Sequence, residues 1–320
     1  MSFSSELKNE IIANAQQRDR CCNLAELSAF LALGGSIYLK RGGIGLRFAN
    51  ENAAVTRKAF SIVKQITGIS CEIRAAKRSR LNKGNLYVLD IADAEAAGEL
   101  LKATGVAEEG LSFSRLVPER IVEADCCKRA YLRGAFLAAG TVSDPHKSYH
   151  LEIAAADEGY AESFGAFIRG FGLNAKIAPR REAYMVYLKD SEGIVDFMSL
   201  AGASSGVFKM ENARIIKEIR NNINRAVNCD IANESRTLTS AKAQCDDIQY
   251  LIDKDIFRTL SRQLRETAEL RLENPEASLQ DLGEMHNPPQ SKSCMNHRIG
   301  KLRSMAKQLR NEEENIYDYS

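Results

Sequence analysis

The chain has 320 residues, 44 % of them hydrophobic and 27 % charged, with a formal net charge of only +2. That length predicts about two or three domains, and so small a net charge means that a nucleic-acid role has to rest on where charge sits. No apolar run nears membrane length and no basic-apolar leader opens the chain, so the expectation is a soluble cytoplasmic protein with no membrane partner.

In chain order, Ser4 to Ala15 predicts a leading helix with Leu7, Ile11 and Ile12 on one side. A small-residue helix follows from about Cys22 to Leu33, then a hairpin from Ser36 to Lys40, through Gly42-Gly43, to Gly45–Ala49. Val55, Ala59, Ile62, Val63 and Ile66 mark a helix from Asn52 to Thr67, closed by Gly68. Strands are expected over Ile69–Ala75 and Leu86–Ile91, and Asp93 opens another helix.

This order then recurs. LRGAFLAAGTV, from Leu132 to Val142, repeats LSAFLALGGSI, from Leu27 to Ile37. The pairs Cys21-Cys22 and Cys126-Cys127 precede the matching glycines, Gly35 and Gly140, at the same distance. Strands follow at Thr141–Ser143 and Tyr149–Ala154, a helix from Asp157 to Gly170, strands near Ala175–Pro179 and Tyr184–Leu188, and a helix over Asp190–Ser199. The fold class expected is α+β: tandem, pseudo-twofold αββαββα halves (about 21–104 and 126–201) within a domain of residues 1–223. The small residues predict close packing of the two repeat helices along a small and apolar seam. Termination at Gly140 is attributed to its tolerance of left-handed dihedrals.

A helix from about Phe208 to Ile223 precedes a polar stretch without period, 224–239, which reads as an ordered linker. An all-α domain of residues 240–310 follows, beginning with a helix near Ala241–Leu251. Arg262 to Asn274 is helical by its spacing, and Ser278 with Asp281 caps a short helix ending at Met285. After His286-Asn-Pro-Pro-Gln290, Ser291 caps a last helix to about Arg310, and residues 311–320 read as a frayed acidic tail. On the last helix, Met295, Ile299, Leu302, Ala306 and Leu309 form the core stripe. The remaining faces carry Lys292, Arg298, Lys301, Arg303, Lys307 and Arg310 without one acid. Two short helices, a broken turn and a basic third helix make a helix-turn-helix, with Lys292, Ser293, Asn296, His297, Arg298, Lys301 and Arg303 as the DNA-binding set. Gly300 removes bulk where a backbone can approach DNA.

SLQDLGEMHNPPQSKSCMNHRIGKL, from Ser278 to Leu302, resembles the C-terminal signature of the bacterial WhiA family, and the likeness extends over essentially the whole chain, including VNCDIAN from Val227 to Asn233. The resemblance implies a degenerate LAGLIDADG homing-endonuclease-like domain ahead of a helix-turn-helix similar to the promoter-reading region of sigma factors. It implies a DNA-binding transcription regulator connected with cell division, chromosome segregation or sporulation, associated with the nucleoid. Endonucleases of that fold carry a metal-holding carboxylate before the last glycine of each repeat helix. Here Gly34 and Ala139 stand in those places, and Asp144 has no acidic counterpart in the first copy, so no catalytic residue, metal or cofactor is expected.

Further phosphate contacts are expected from Arg74, Lys77, Arg78, Arg80 and Lys83 in the first-copy hairpin, and from Lys176, Arg180 and Arg181 in the second. Glu152 and Asp157 are expected to weaken the second surface. The eight cysteines form no C-x-x-C pair and read as buried or half-buried thiols in a reducing compartment; His146, His150, His286 and His297 are too scattered to suggest zinc. Double-stranded DNA is the expected partner, and a monomer is compatible with this arrangement. The alternative is an adaptor whose first domain binds a protein, such as the transcription machinery, while the last localises it to DNA.

Overall fold

The computed structural model describes residues 2–14, 19–77, 85–107, 114, 116–181 and 183–317. Two compact units divide the chain, Met1–Glu218 and Ile219–Ser320.

In the first unit, α1 (Phe3–Asn14) buries Leu7 and Ile11. The first repeat half then runs α2 (Arg20–Gly34), β1 (Gly35–Lys40), β2 (Gly43–Asn50), α3 (Ala53–Thr67), β3 (Glu72–Lys77), β4 (Asn85–Ile91) and α4 (Ala94–Thr104). The second half runs α5 (Asp125–Ala139), β5 (Gly140–Val142), β6 (Leu151–Ala155), α6 (Glu158–Arg169), β7 (Lys176–Arg180), β8 (Ala183–Leu188) and α7 (Ser191–Ala201). Each half is thus αββαββα, as the repeat predicts. The sheets are antiparallel with equivalent orders, β1-β2-β4-β3 and β5-β6-β8-β7, so β3 and β7 are matching edges. Asn52, Asp93, Asp157 and Asp190 cap α3, α4, α6 and α7 by accepting hydrogen bonds from first-turn amides.

Helices α2 and α5 pack on each other at the centre. A Cβ on Gly134 would stand 2.6 Å from the Glu26 carbonyl oxygen and 3.0 Å from the Ala29 Cβ, so the close approach expected from small residues is real. Two expectations about this pair need correcting. Gly35 and Gly140 end their helices in extended conformation, at φ −89° and −78°, rather than left-handed. What requires glycine is space: added Cβ atoms would meet the Leu31 carbonyl oxygen at 2.3 Å and the Phe136 side chain at 2.4 Å. The seam is also not wholly small and apolar. Glu26 of α2 is fully buried against Arg133 of α5, with Arg133 Nε and Nη2 both 3.0 Å from its Oε2, and Lys58 Nζ 3.3 Å from its Oε1.

The long helix α8 (Ser204–Asp253) contains the whole stretch read as a linker, together with the two helices expected on either side. Nearly every residue from 218 to 240 is exposed. Ile215, Ile219, Ile223, Val227 and Ile231 recur every four residues along it, a helical spacing that runs through the supposed linker although each of the five is exposed. The second unit continues with α9 (Arg262–Glu273), α10 (Leu279–Met285) and α11 (Lys292–Tyr317). Residues 311–317, expected as a frayed tail, continue α11; glutamate is a good helix former, and a charge run alone does not end a helix. The core of this unit joins Ile248 and Leu251 of α8, Leu264 and Ala268 of α9, and Ile299, Leu302 and Ala306 of α11.

Candidate nucleic-acid interface

The short helix α10 and the longer α11 are set by local chemistry. Ser278 Oγ accepts from the Asp281 amide at 3.2 Å while Asp281 Oδ2 accepts from the Ser278 amide at 3.0 Å, a complete capping box. Gly283 lets the chain fold back over α10, since a Cβ there would lie 2.3 Å from the Gln290 carbonyl oxygen. The Gln290 amide closes that turn by donating to the Gly283 carbonyl at 2.8 Å. Ser291 Oγ then accepts from the Cys294 amide at 3.2 Å and starts α11.

Met295, Ile299, Leu302 and Ala306 of α11 are buried, and Leu309 is half-buried, which is the stripe read from the sequence. Lys292, Ser293, Asn296, His297 and Lys301 are exposed, and no side-chain hydrogen bond or ion pair among the described residues holds any of the five. A Cβ on Gly300 would touch nothing within 4 Å, so packing inside the protein does not demand glycine there. Arg298 and Arg303 are placed differently from the rest of the expected set. Arg298 Nη1 donates to His286 Nε2 at 3.0 Å and to Thr267 Oγ1 at 3.4 Å, fastening the turn to α9. His286 Nδ1 lies 3.3 Å from the Pro288 carbonyl oxygen. Asp247 of α8 binds both Arg303 Nε at 3.1 Å and Arg310 Nη1 at 2.7 Å, and Arg310 also lies over the Tyr250 ring. These three arginines hold α11 in place; the exposed face is left to the other five residues. Arg236, not anticipated as a site residue, joins Lys292, Ser278 and Gln244 around an open cavity of about 240 Å³.

On the first unit, Arg74 lies on the edge strand β3, exposed and paired with Glu72 at 2.6 Å, which raises its pKa. Lys77 ends β3; Arg78, Arg80 and Lys83 lie outside the described residues. On the matching edge, Lys176 and Arg180 are exposed on β7, and Arg181 occupies the turn after it at φ 57°. Arg180 Nη1 reaches Glu152 at 3.1 Å, and His150 Nε2 is also 3.1 Å from that carboxylate. Arg180 is therefore paired with Glu152 rather than free, and the same carboxylate holds His150. Arg47, on the same sheet face as Arg74, was missed by sequence reading because it lies outside any basic run; it stacks 4.1 Å over the Tyr38 ring and pairs with Asp90.

The C-terminal ends of α2 and α5, where an endonuclease would hold metal, offer no ligand at Gly34 or Ala139. A Cβ on Gly34 would stand 2.8 Å from the Phe48 ring, so a carboxylate has no room there without repacking. A cavity of about 250 Å³ remains, lined by Lys8, Asn50, Glu51, Ala139, Gly140 and Thr141 among others. Burial lowers the Lys8 pKa to about 8. Asp144 lines a different cavity and accepts from the His146 amide of its own turn at 2.9 Å.

Family models match three successive segments: the WhiA N-terminal LAGLIDADG-like domain over residues 20–107, the WhiA LAGLIDADG-like domain over 128–220 and the WhiA C-terminal HTH domain over 223–306. The chain is 42 % identical over 307 residues to a protein of Heliobacterium modesticaldum named "Probable cell division protein WhiA", covering 96 % of each. It is 39 % identical to the Clostridium botulinum protein of that name, covering 97 % of this chain and 99 % of that one. The chain belongs to the WhiA family. The fold agrees with the crystal structure of full-length WhiA from Thermotoga maritima at a TM-score of 0.59, with 22 % identity over 96 % of this chain and 99 % of that one. The first two WhiA segments coincide with the two repeat halves, and the third takes in much of α8 with α9, α10 and the start of α11. Among the described residues no helix is long and apolar enough to cross a membrane.

One grouping in this WhiA chain escaped the sequence reading. Cys21, Cys22, Cys126 and Cys127, expected as buried or half-buried thiols, converge at the N-terminal ends of α2 and α5, with all four Sγ atoms within 4.8 Å of one another. Cys21 and Cys126 are exposed, while Cys22 and Cys127 are buried. Burial pushes the Cys22 thiol up to about 11 and raises that of Cys127, whereas hydrogen bonds from neighbouring thiols lower that of Cys126. The signal was present as one cysteine pair at the same position of both repeats.

Proposed function

We propose that this chain is a sequence-selective DNA-binding transcriptional regulator acting in cell division, chromosome segregation and/or sporulation, and that it has no nuclease activity. The observation that carries the reading is the outer face of α11. Lys292, Ser293, Asn296, His297 and Lys301 are exposed and, among the described residues, free of internal partners, and the helix is held by three arginines and a buried stripe. A pre-positioned helix with amide, imidazole and ammonium groups on one open face suits a major groove, where such groups read base edges and phosphates. Gly300 leaves room beside them. Arg74, Lys77, Lys176, Arg180 and Arg181 then serve as sequence-independent phosphate contacts, together with Arg78, Arg80 and Lys83. This activity places the protein in the cytoplasm, at the nucleoid.

The lack of a ligand at Gly34 and Ala139 supports the non-nuclease reading. Lys8 places an ammonium group in the cavity beside Ala139, but Glu51 lines the same cavity and its carboxylate offsets that ammonium group, so the missing ligands at Gly34 and Ala139 carry this reading.

Sites selected from a randomised duplex pool by the full-length protein provide the test. Lys301→Ala is expected to weaken binding to selected and random duplexes alike. Asn296→Ala and His297→Ala are expected to change preference among selected sites, by about 1–3 kcal/mol per good base contact. If Asn296→Ala and His297→Ala lose equally on selected and random duplexes, the base-reading assignment is wrong. Matched duplex RNA is expected to compete poorly, because its major groove is too narrow for a helix.

A further inference from the structure

We propose that Cys21, Cys22, Cys126 and Cys127 form a four-thiolate site for one zinc ion that joins the two repeat halves. The site is distinct from the face of α11 and lies at the opposite end of α2 and α5 from Gly34 and Ala139.

The geometry is the first argument. Zinc bound tetrahedrally by thiolates at about 2.3 Å requires neighbouring sulfurs to be about 3.8 Å apart. All four Sγ atoms here lie within 4.8 Å of one another, and those of Cys126 and Cys127 are 3.9 Å apart. Small side-chain rotations close the set on a central ion. Four sulfurs from two elements also satisfy the soft-ligand, closed-shell preference of a structural zinc site, whereas histidine and carboxylate are absent from the cluster.

Electrostatics is the second. Four thiolates around a divalent ion carry a net double negative charge, which needs compensation. The cysteines occupy the first turns of two 15-residue helices, whose N-terminal ends carry partial positive charge. Neither helix has a side-chain cap: Asp19 and Ala124, at the N-cap positions, accept no first-turn amide through a side chain. In contrast, α3, α4, α6 and α7 each have one. First-turn amides of α2 and α5 are therefore available to donate to metal-bound sulfur, the kind of outer contact that tunes thiolate sites.

Each repeat supplies two ligands, so the site is complete only when both halves are folded together. Binding free energy then adds directly to the stability of the first unit, as it does wherever a metal binds the folded state alone. Two exposed and two buried sulfurs give the ion a route in while excluding water from half of its shell.

The test uses the full-length chain, reduced and stripped of metal. Titration with Co²⁺ is expected to reach one equivalent, with the intense visible bands and sulfur-to-metal charge transfer of tetrahedral cobalt thiolate; Zn²⁺ should displace it and raise the Tm. Cys21→Ser/Cys126→Ser, chosen because both positions are exposed, should keep its far-ultraviolet circular dichroism and lose more than about 100-fold in zinc affinity. It should also lose the zinc-dependent rise in Tm. Cys71→Ser/Cys229→Ser should behave as the parent protein. The proposal fails if the reduced protein binds less than one equivalent, or if the cobalt spectrum is octahedral. It fails equally if Cys21→Ser/Cys126→Ser binds as the parent does, or if mass spectrometry of protein from a reducing cytoplasm finds the four sulfurs paired as disulfides.

Discussion

Replacing Glu26 by leucine is expected to destabilise the first unit by about 3–5 kcal/mol, the usual cost of removing one partner from a buried ion pair. The structure makes the two partners unequal. Arg133 is 2 % exposed at its side chain and, among the described residues, pairs with one carboxylate, that of Glu26, which is fully buried. Glu26 has a second cation, Lys58, 3.3 Å away and 13 % exposed. Glu26→Leu therefore strands Arg133 without an anion, although Lys58 can turn toward water. Arg133→Met leaves Glu26 paired with Lys58 and should cost less, about 2 kcal/mol. Glu26→Leu/Arg133→Met removes both charges at similar volume and should return to within about 1 kcal/mol of the parent protein. Urea unfolding reads all three. With a slope of about 2 kcal/mol per molar, the loss in Glu26→Leu moves the midpoint by about 2 M. An Arg133→Met midpoint below that of Glu26→Leu, or additive losses in the double variant, would refute the reasoning, since buried partners must couple.

No nicking or cleavage of duplex DNA is expected with Mg²⁺ or Mn²⁺. Gly34→Asp/Ala139→Asp should not restore it, because a Cβ at position 34 already stands 2.8 Å from the Phe48 ring; metal-dependent nicking by the purified parent protein, measured on supercoiled plasmid, would overturn this. Lys8, whose pKa is lowered to about 8, opposes folding while charged, so its penalty is complete below pH 8 and fades as pH rises toward the ordinary value of 10.5. Lys8→Met should accordingly stabilise the protein at pH 7 by up to about 3 kcal/mol, less whatever its residual contact with water already screens, and the advantage should vanish near pH 10.5 in pH-dependent urea titrations. Neutralising Arg78, Arg80 and Lys83 together is expected to lower DNA affinity across many sequences and to make its salt dependence shallower, because phosphate contacts release counterions without reading bases. An unchanged salt slope would remove the hairpin from the interface and favour a protein partner there.

Much of the fold was legible because local chemistry and burial agree. Asn52, Asp93, Asp157 and Asp190 cap the helices they precede, Ser278 and Asp281 form their capping box, and the apolar stripe of α11 is the buried one. What escaped was decided through space. Asp247 lies far from Arg303 and Arg310 in sequence and claims both, so charge on α11 alone could not separate cations that hold the helix from those left free. Four cysteines meet only because α2 and α5 pair with the same ends together, which no spacing within one repeat displays. The continuity of α8 was legible and passed over: Ile219, Ile223, Val227 and Ile231 keep a four-residue spacing through the stretch read as a linker, amid polar residues that drew the eye instead.

The same helix pair shows how a duplicated chain avoids pairing with the wrong copy of itself. Counterpart positions have diverged at the crossing: Tyr131 stands in the second repeat where Glu26 stands in the first, and Ser28 in the first where Arg133 stands in the second. Ser28 Oγ donates to the Thr104 carbonyl oxygen at 2.8 Å, and the Tyr131 and Tyr160 hydroxyls lie 2.7 Å apart, so each buried polar group is answered within its own half. Arg133 is answered across the seam by Glu26, at 3.0 Å, while Glu26 also has Lys58 in its own half at 3.3 Å. If α2 packed on a second α2, Glu26 would face Ser28; if α5 packed on a second α5, Arg133 would face Tyr131. An α5 pair would bury Arg133 opposite a neutral group, at a cost of several kcal/mol, and an α2 pair would set Ala29 in the place of Gly134, where a Cβ meets the Glu26 carbonyl oxygen at 2.6 Å. Gly134 makes the close seam possible in one pairing, and the Arg133–Glu26 contact makes that pairing specific to the two halves of one chain.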